Sequence, residues 1–132
     1  MRKKTTASVS PSLASADDRA AVVRKAVARA ADLLGMTNTV LARTIGVSEA
    51  TASRLGAGTY TLAPGTKPCE LALLLIRLFR GLDAVMGGEA PSVSSWMAVP
   101  NRALNGVPRE LVQTVTGLVA AVDYVDAAGA RV

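Results

Sequence analysis

Apolar residues recur at every third or fourth position along most of this chain, which is the spacing that one face of an α-helix requires. The first such stripe consists of Val23, Val27, Ala30 and Leu34. Ser15, with an aspartate three residues later, is typical of a helix N-cap. Gly35 is a common residue type directly after a helix end. The pattern therefore predicts a first helix from Ser15 to about Leu34.

Further residues that favour helix starts divide the rest of the chain into five more segments. Serine and threonine favour N-caps, and proline fits the first helical turn. Such residues are Thr37, Ser48, Pro68, Ser92 and Pro108. They predict helices over about 38–45, 49–55 and 68–86, a short segment from Ser92 that includes Trp96, and a last helix over 108–127. Since no stretch alternates in the manner of a strand, the sequence predicts an all-α fold.

Two of these segments are apolar over more than one face. In the fourth helix the main stripe is Leu71, Leu74, Leu75, Leu78 and Leu82, and other directions carry Leu73, Ile76 and Phe79. A helix of this kind is buried on several sides, so we expect it between neighbouring helices or in a homodimer interface. In the last helix the stripe is Leu111, Val115, Leu118, Val122 and Val125, widened by Val112 and Val119. Gly117 interrupts that helix, and close packing against another helix or a partner is the expected reason.

Charge is distributed unevenly over the 132 residues, whose net charge is +5. Residues 1–80 contain 12 Lys and Arg against 5 Asp and Glu, a net +7, whereas residues 81–132 contain 3 against 5, a net −2. The basic part is therefore the candidate for phosphate contacts. The N-terminus has charge but no apolar signal-peptide core, and the longest apolar run, Leu71 to Ile76, is too short for a membrane span. The sequence predicts a cytoplasmic protein without a membrane partner.

The residue inventory excludes several classes of enzyme. Histidine is absent and Cys69 is the only cysteine, so a Ser-His-Asp triad, a Cys-His dyad, a nitrogen-sulfur zinc site and an internal disulfide are impossible. Asp123 and Asp126 lie three residues apart near the end of one helix, which is typical of a solvated face. We therefore predict no catalytic residue, no metal site, no cofactor and no enzymatic activity.

The segment "NTVLARTIGVSEATASRL", residues 38–55, has the pattern of two short crossed helices. Its apolar positions are those that meet the rest of a domain, Ala42 is small where the helices approach, and Gly46 lies in the turn. The segment resembles the helix-turn-helix of Xre/Cro-type bacterial DNA-binding proteins. The second helix would then enter the major groove with its N-terminal part at the base edges. The DNA-binding residues predicted on this basis are Ser48, Glu49, Ala50, Thr51, Ser53, Arg54 and Tyr60.

Different chemistry is expected of these DNA-binding residues. Arg54 can pair with guanine or hold a phosphate, and Glu49 can accept a hydrogen bond from cytosine. Thr51 is a candidate phosphate contact, and Tyr60 lies in a turn-rich loop, "GAGTYTLAPGTKP", that can reach the DNA backbone. The alternative is a helical pair used only for packing, because the second helix carries just one arginine and one glutamate.

The segment from Ser95 to Val125, "SWMAVPNRALNGVPRELVQTVTGLVAAVDYV", combines a tryptophan with two turns and a helix start. It resembles the toxin-binding domain of Xre/MbcA/ParS antitoxins. The matching features are Trp96, Pro100-Asn101, Leu104, Gly106, Pro108, Glu110-Leu111, Thr114 and Gly117. Together the two resemblances cover about residues 20–130. They indicate a DNA-binding region over 15–66, a connecting helix over 67–90 and a toxin-binding domain over 91–132. The polar, Ser/Thr-rich composition of residues 1–14 predicts a disordered basic tail before them.

This resemblance implies a type II antitoxin with two partners. One is a protein toxin of the RES type, which consumes NAD, or an ADP-ribosylating relative; the other is operator DNA, bound by a homodimer that represses its own operon. A toxin pocket that binds the phosphates of NAD should be basic, so acidic residues of the last helix are expected to face it. The predicted toxin contacts are Asn101, Arg102, Arg109, Tyr124, Val125, Asp126, Arg131 and Val132. The alternative is an ordinary transcriptional regulator whose second half dimerises or binds a ligand.

Overall fold

The computed structural model describes residues 15–130, which form seven α-helices and no strand. The helices are α1 (Ala16–Leu33), α2 (Asn38–Ile45), α3 (Glu49–Ala57), α4 (Lys67–Val85), α5 (Ala90–Ala98), α6 (Pro108–Leu111) and α7 (Val115–Ala130). An isolated backbone bridge joins Asn101 to Gly106. The predicted all-α fold is confirmed. The predicted tail over residues 1–14 lies outside the described residues.

The first four helices begin at hydroxyl side chains that accept a hydrogen bond from a backbone N–H three residues later. Ser15 accepts from Asp18, Thr37 from Val40, Ser48 from Thr51 and Thr66 from Cys69, over 3.0 to 3.4 Å. Each bond satisfies one of the backbone donors that a helix start leaves free. The fourth helix therefore begins at Lys67, one residue before the predicted Pro68.

The start of α5 differs from the prediction. The helix begins at Ala90, after Glu89, whose side chain makes no capping hydrogen bond, and Pro91 occupies the first turn. The predicted cap, Ser92, lies inside the helix and its hydroxyl donates to the Glu89 carboxylate at 3.5 Å. Proline can open a helix without a side-chain cap, because it brings no N–H to satisfy.

The predicted last helix is divided into α6 and α7. Around the break, Thr114 N donates to the Leu111 carbonyl, and Thr114 Oγ1 accepts from Gly117 N at 3.1 Å. A Cβ on Gly117 would overlap the Leu111 carbonyl oxygen. Gly117 is thus required by a sharp local break, not by packing against another helix or a partner. The break also rotates the stripe, so that Val115 and Val119 are 58% and 39% exposed.

Helix α4 runs through the centre of the fold and packs against α1, α2, α5 and α7. Leu75, Leu78 and Leu82 are buried, as expected of a helix that is apolar on several faces. At the crossing with α7, a Cβ on Gly81 would lie 2.6 Å from Val125 Cγ1, so glycine permits the close approach. Buried residues from both ends of the chain form one continuous core around this helix.

In the part of the chain that the structure describes, no helix combines the length and the hydropathy needed to cross a bilayer.

Candidate DNA-reading and toxin-binding surfaces

Helices α2 and α3 form a helix-turn-helix around a left-handed glycine. Gly46 ends α2 with φ 75°, a conformation that favours glycine. The next N–H, of Val47, donates to the Ala42 carbonyl at 2.9 Å. Ala42 is buried where the helices meet, and the apolar side chains predicted to face the core do so, with Leu41, Ile45, Ala52 and Leu55 all buried.

The outer face of α3 presents the side chains predicted to read DNA. Glu49, Ala50, Ser53 and Arg54 are exposed, and Thr51 is half-buried. Tyr60 lies in the loop that follows and is 41% exposed. The structure therefore brings the predicted DNA-binding residues together on one surface, which we call the reading surface: Ser48, Glu49, Ala50, Thr51, Ser53, Arg54 and Tyr60.

A series of side-chain contacts crosses the reading surface. Ser48 Oγ donates to Thr51 Oγ1 at 3.0 Å, and Arg54 Nη2 donates to the same oxygen at 3.3 Å. The Arg54 Cζ atom lies 6.0 Å from the centroid of the Tyr60 ring, within the range of a cation–π contact. The sequence suggested these residues one by one but not their mutual contacts.

One residue that sequence reasoning missed, Arg24 of α1, supports the far end of α3. Its Nη1 donates to the Leu55 carbonyl at 3.1 Å, and a Cβ on Gly58 would lie 3.7 Å from its guanidinium. A cation at a helix C-terminus is favourable because the last carbonyls carry partial negative charge. The two residues are 31 positions apart, so no local sequence signal indicated this contact.

A tight turn connects α5 to α6. The N–H of Asn101 donates to the Gly106 carbonyl at 2.8 Å, and the reverse bond measures 3.2 Å. The Asn101 side-chain oxygen accepts from Leu104 N at 3.0 Å, and Asn105 adopts φ 59°. Asn101, a predicted toxin contact, is half-buried and uses its side-chain oxygen to hold this turn.

The single tryptophan takes part in an aromatic pair. Trp96 of α5 and Tyr124 of α7 stack with ring centroids 6.4 Å apart and an interplanar angle of 20°. Trp96 is partly buried against the core, where its large apolar side chain anchors α5, whereas Tyr124 is 39% exposed. The predicted toxin contact Tyr124 therefore stands on an aromatic support that the sequence did not reveal.

The neighbouring predicted contacts on α7 have partners inside the chain. Val125 is only 3% exposed and packs at Gly81, so its burial corrects the prediction that it contacts a toxin. Asp126 Oδ2 accepts from Arg77 Nη2 of α4 at 2.6 Å, which gives its carboxylate a cation before any partner binds. Asp123, on the outer side of α7, is exposed.

Of the remaining predicted toxin contacts, Arg102 is exposed and Arg109 is half-buried. The Nε atom of Arg109 is buried and makes no hydrogen bond within residues 15–130. Arg131 and Val132 lie outside the described residues. Among the residues described, no group of three or more acidic or cysteine side chains is placed to hold a metal ion.

Each half of the chain matches the model of a known protein family. The family model of the antitoxin Xre-like helix-turn-helix domain matches residues 14–77. That of the antitoxin Xre/MbcA/ParS C-terminal toxin-binding domain matches residues 81–130. A search of curated proteins gives no match. The reading surface lies in the first matched segment, and the Trp96–Tyr124 pair lies in the second. The two consecutive matches show that the chain belongs to the Xre-type antitoxins of toxin-antitoxin systems.

Proposed function

We propose that this antitoxin neutralises a RES-type, NAD-consuming toxin with its C-terminal domain and represses its own operon, as a homodimer, with the reading surface. The observation that carries the proposal is the separation of two exposed surfaces on one core. The reading surface lies in the part of the chain with net charge +7, and the exposed residues of α7 lie in the part with net charge −2. Charges of opposite sign suit partners as different as DNA and a basic protein pocket.

Repression is supported by the exposed polar residues along α3. A recognition helix lies in the major groove with its N-terminal residues at the base edges. Glu49 is exposed in the first turn of α3, Ser53 is exposed one turn later, and Arg54 is exposed in the last turn. Replacing Arg54 by alanine should weaken operator binding by about 1–3 kcal/mol if it pairs with a base. Binding measured on the DNA upstream of the gene tests this effect. Unchanged affinity in the Arg54→Ala, Ser53→Ala double variant would show that α3 does not read DNA.

A homodimer is supported by the geometry of operators. Helix-turn-helix dimers place two recognition helices in half-sites roughly 34 Å apart, and one α3 presents only two turns of helix. Most apolar side chains of α4 are used in the core of the single chain, which leaves Leu73 half-exposed. Sedimentation of the protein at tens of micromolar, with and without DNA, tests this state. A strict monomer under both conditions would contradict it.

Toxin binding is supported by a surface on α7 that we call the outer face: Val115, Val119, Asp123 and Tyr124. The two valines and Tyr124 are exposed apolar side chains that a partner can cover. Asp123 adds a carboxylate that has no ion-pair partner within residues 15–130. A toxin pocket that binds the phosphates of NAD needs positive charge, and so does the pocket of an ADP-ribosylating relative. The carboxylate of the antitoxin would complement that charge at the pocket entrance.

The test of neutralisation uses point variants on the outer face. Deletion of residues 121–132 would remove Ala121, Val122 and Val125 from the core, so it would damage the fold together with the contact. Tyr124→Ala combined with Asp123→Lys should instead abolish protection when the antitoxin is co-expressed with the neighbouring toxin, scored by growth and cellular NAD. Tyr60→Ala, at an equally exposed tyrosine of the reading surface, is the matched control and should protect fully. Full protection by both variants would place the toxin contact elsewhere.

A further inference from the structure

Arg54 is held in place on the reading surface although its side chain is exposed. Its Nη2 atom donates to Thr51 Oγ1 at 3.3 Å, and its guanidinium lies 6.0 Å from the Tyr60 ring centroid. An exposed arginine ordinarily samples many rotamers and loses that freedom when it binds. Here two neighbours restrict it before any ligand arrives.

The backbone fixes Tyr60 relative to Arg54. After Gly58, which ends α3 with φ 84°, Thr59 N donates to the Arg54 carbonyl at 2.9 Å. The Thr59 hydroxyl donates to the same oxygen at 3.4 Å. The loop is therefore attached to the residue whose side chain it supports, so Tyr60 follows Arg54 if the helix end moves.

The other neighbour, Thr51, is equally well oriented. Its hydroxyl oxygen accepts from Ser48 Oγ at 3.0 Å as well as from Arg54. Ser48 is itself fixed, because its Oγ accepts from Thr51 N as the N-cap of α3. An oxygen has two lone pairs, and both are used in this arrangement.

The arrangement leaves the chemistry of the guanidinium intact. The guanidinium lies over an aromatic ring and one N–H is used by Thr51, whereas a guanidinium has five N–H donors in a planar fork. Two parallel donors match O6 and N7 of guanine, the commonest specific contact in the major groove. A phosphate can also accept two parallel N–H bonds, so a guanine contact is distinguished from a phosphate contact by the dependence of affinity on base sequence.

We propose that Tyr60, together with Thr51, positions Arg54 to read a guanine of the operator. The inference rests on the proposed function, since it assumes that α3 enters the major groove. It assigns to Tyr60 a role in sequence specificity that the phosphate contact expected from its loop position does not include.

The experiment uses duplexes that the full chain selects from a random-sequence pool. Each guanine of the selected consensus is replaced in turn by 7-deazaguanine, which lacks the N7 acceptor but keeps O6 and the Watson–Crick edge. The wild type should lose affinity at one guanine of each half-site, by less than the roughly 5- to 150-fold of a whole bidentate contact because O6 remains. Arg54→Ala should bind the normal and modified duplexes equally.

The positioning role is measured by tyrosine and threonine variants on the same pair of duplexes. Tyr60→Ala should reduce discrimination between them by roughly 2- to 5-fold, the range of an exposed cation–π contact, and Tyr60→Phe should retain it. Thr51→Val, which removes the acceptor but keeps the shape, should act in the same direction as Tyr60→Ala. In an Arg54→Ala background neither change should alter discrimination.

Two results would overturn the inference while leaving DNA binding intact. If Tyr60→Ala weakens both duplexes equally, Tyr60 contributes only to sequence-independent affinity. If Tyr60→Phe behaves like Tyr60→Ala, the hydroxyl matters and not the ring. A wild-type protein that selects no sequence would refute operator reading itself, and the role of Tyr60 would fall with it.

Discussion

The recognition helix α3 and the last helix α7 are stabilised in opposite ways. Helix α3 has a capping serine at one end and a left-handed glycine at the other, and only Ala52 and Leu55 are buried. Helix α7 has no charged residue in its first or last turn, and four of its side chains are buried. Local contacts therefore define α3, whereas packing against α4 defines α7. Substitutions at the helix ends should therefore affect the stability of α3, and substitutions that change side-chain volume should affect that of α7.

The largest expected effect is at Gly117, where a side chain would overlap backbone atoms. Because the Leu111 carbonyl belongs to the break between α6 and α7, no side-chain movement can relieve the overlap. We expect Gly117→Val to lower the free energy of unfolding by about 3 kcal/mol or more. Denaturant unfolding measures it.

The matched control for that substitution is Gly56 of α3, around which a Cβ would meet no atom within 4 Å. Gly56→Ala should stabilise the protein by up to about 1 kcal/mol through helix propensity. Equal destabilisation at both glycines would contradict the contrast between the helices.

A smaller effect is expected at Gly81, where the obstacle is a side chain. Gly81→Ala places its Cβ against Val125, a β-branched residue whose rotamer is restricted in a helix. The expected loss is about 1–3 kcal/mol. Val125→Ala in the same background should recover part of it, whereas alone it should destabilise by leaving a cavity. Additive losses in the double variant would show that the two residues do not compete for space.

At the N-cap of α3 the expected effect is about 1 kcal/mol. Ser48→Ala removes the acceptor for Thr51 N and also the hydrogen bond to Thr51 Oγ1. Ser15→Ala, at the exposed cap of α1, is the comparison because it removes one capping bond only. Both stability and operator affinity should be measured. Ser15→Ala should leave operator affinity unchanged. If it lowers operator affinity as much as Ser48→Ala does, the N-cap of α3 has no specific role in DNA binding.

The smallest effect is expected at the ion pair between α4 and α7. Arg77 is 64% and Asp126 37% exposed, and exposed pairs contribute about 0.2–1 kcal/mol. A double-mutant cycle with Arg77→Met and Asp126→Asn should give a coupling energy in that range, and high salt should reduce it. A coupling energy above 2 kcal/mol would mean that the ion pair stabilises α7 as well as its side-chain packing against α4.

The same contrast determines what could be predicted from the sequence. Caps and glycines belong to the helices that they end, so the starts of α1, α2 and α3 were predicted to within a residue. The break at Thr114–Gly117 was missed because a threonine and a glycine in an apolar segment also fit a helix interior. The stripe then placed Val115 and Val119 inward, and both are exposed.

Contacts between distant residues explain the remaining differences at the candidate sites. Asp126 was expected to face a toxin and binds Arg77. Val125 was predicted both in the apolar stripe and as a toxin contact, and its position in the space left by Gly81 agrees with the stripe. The stacking of Trp96 on Tyr124 depends on how α5 and α7 approach each other. No periodicity within either helix encodes such an approach.

The central position of α4 has a consequence for the release of partners. Since α4 shares one core with the helix-turn-helix and with α7, the two functional surfaces cannot lose their support independently. Loosening of the fold by heat, by a protease that cuts the open state or by a core substitution should therefore free DNA and toxin in the same transition. If the proposed repression and neutralisation both operate in the cell, unfolding of the antitoxin would relieve the two together.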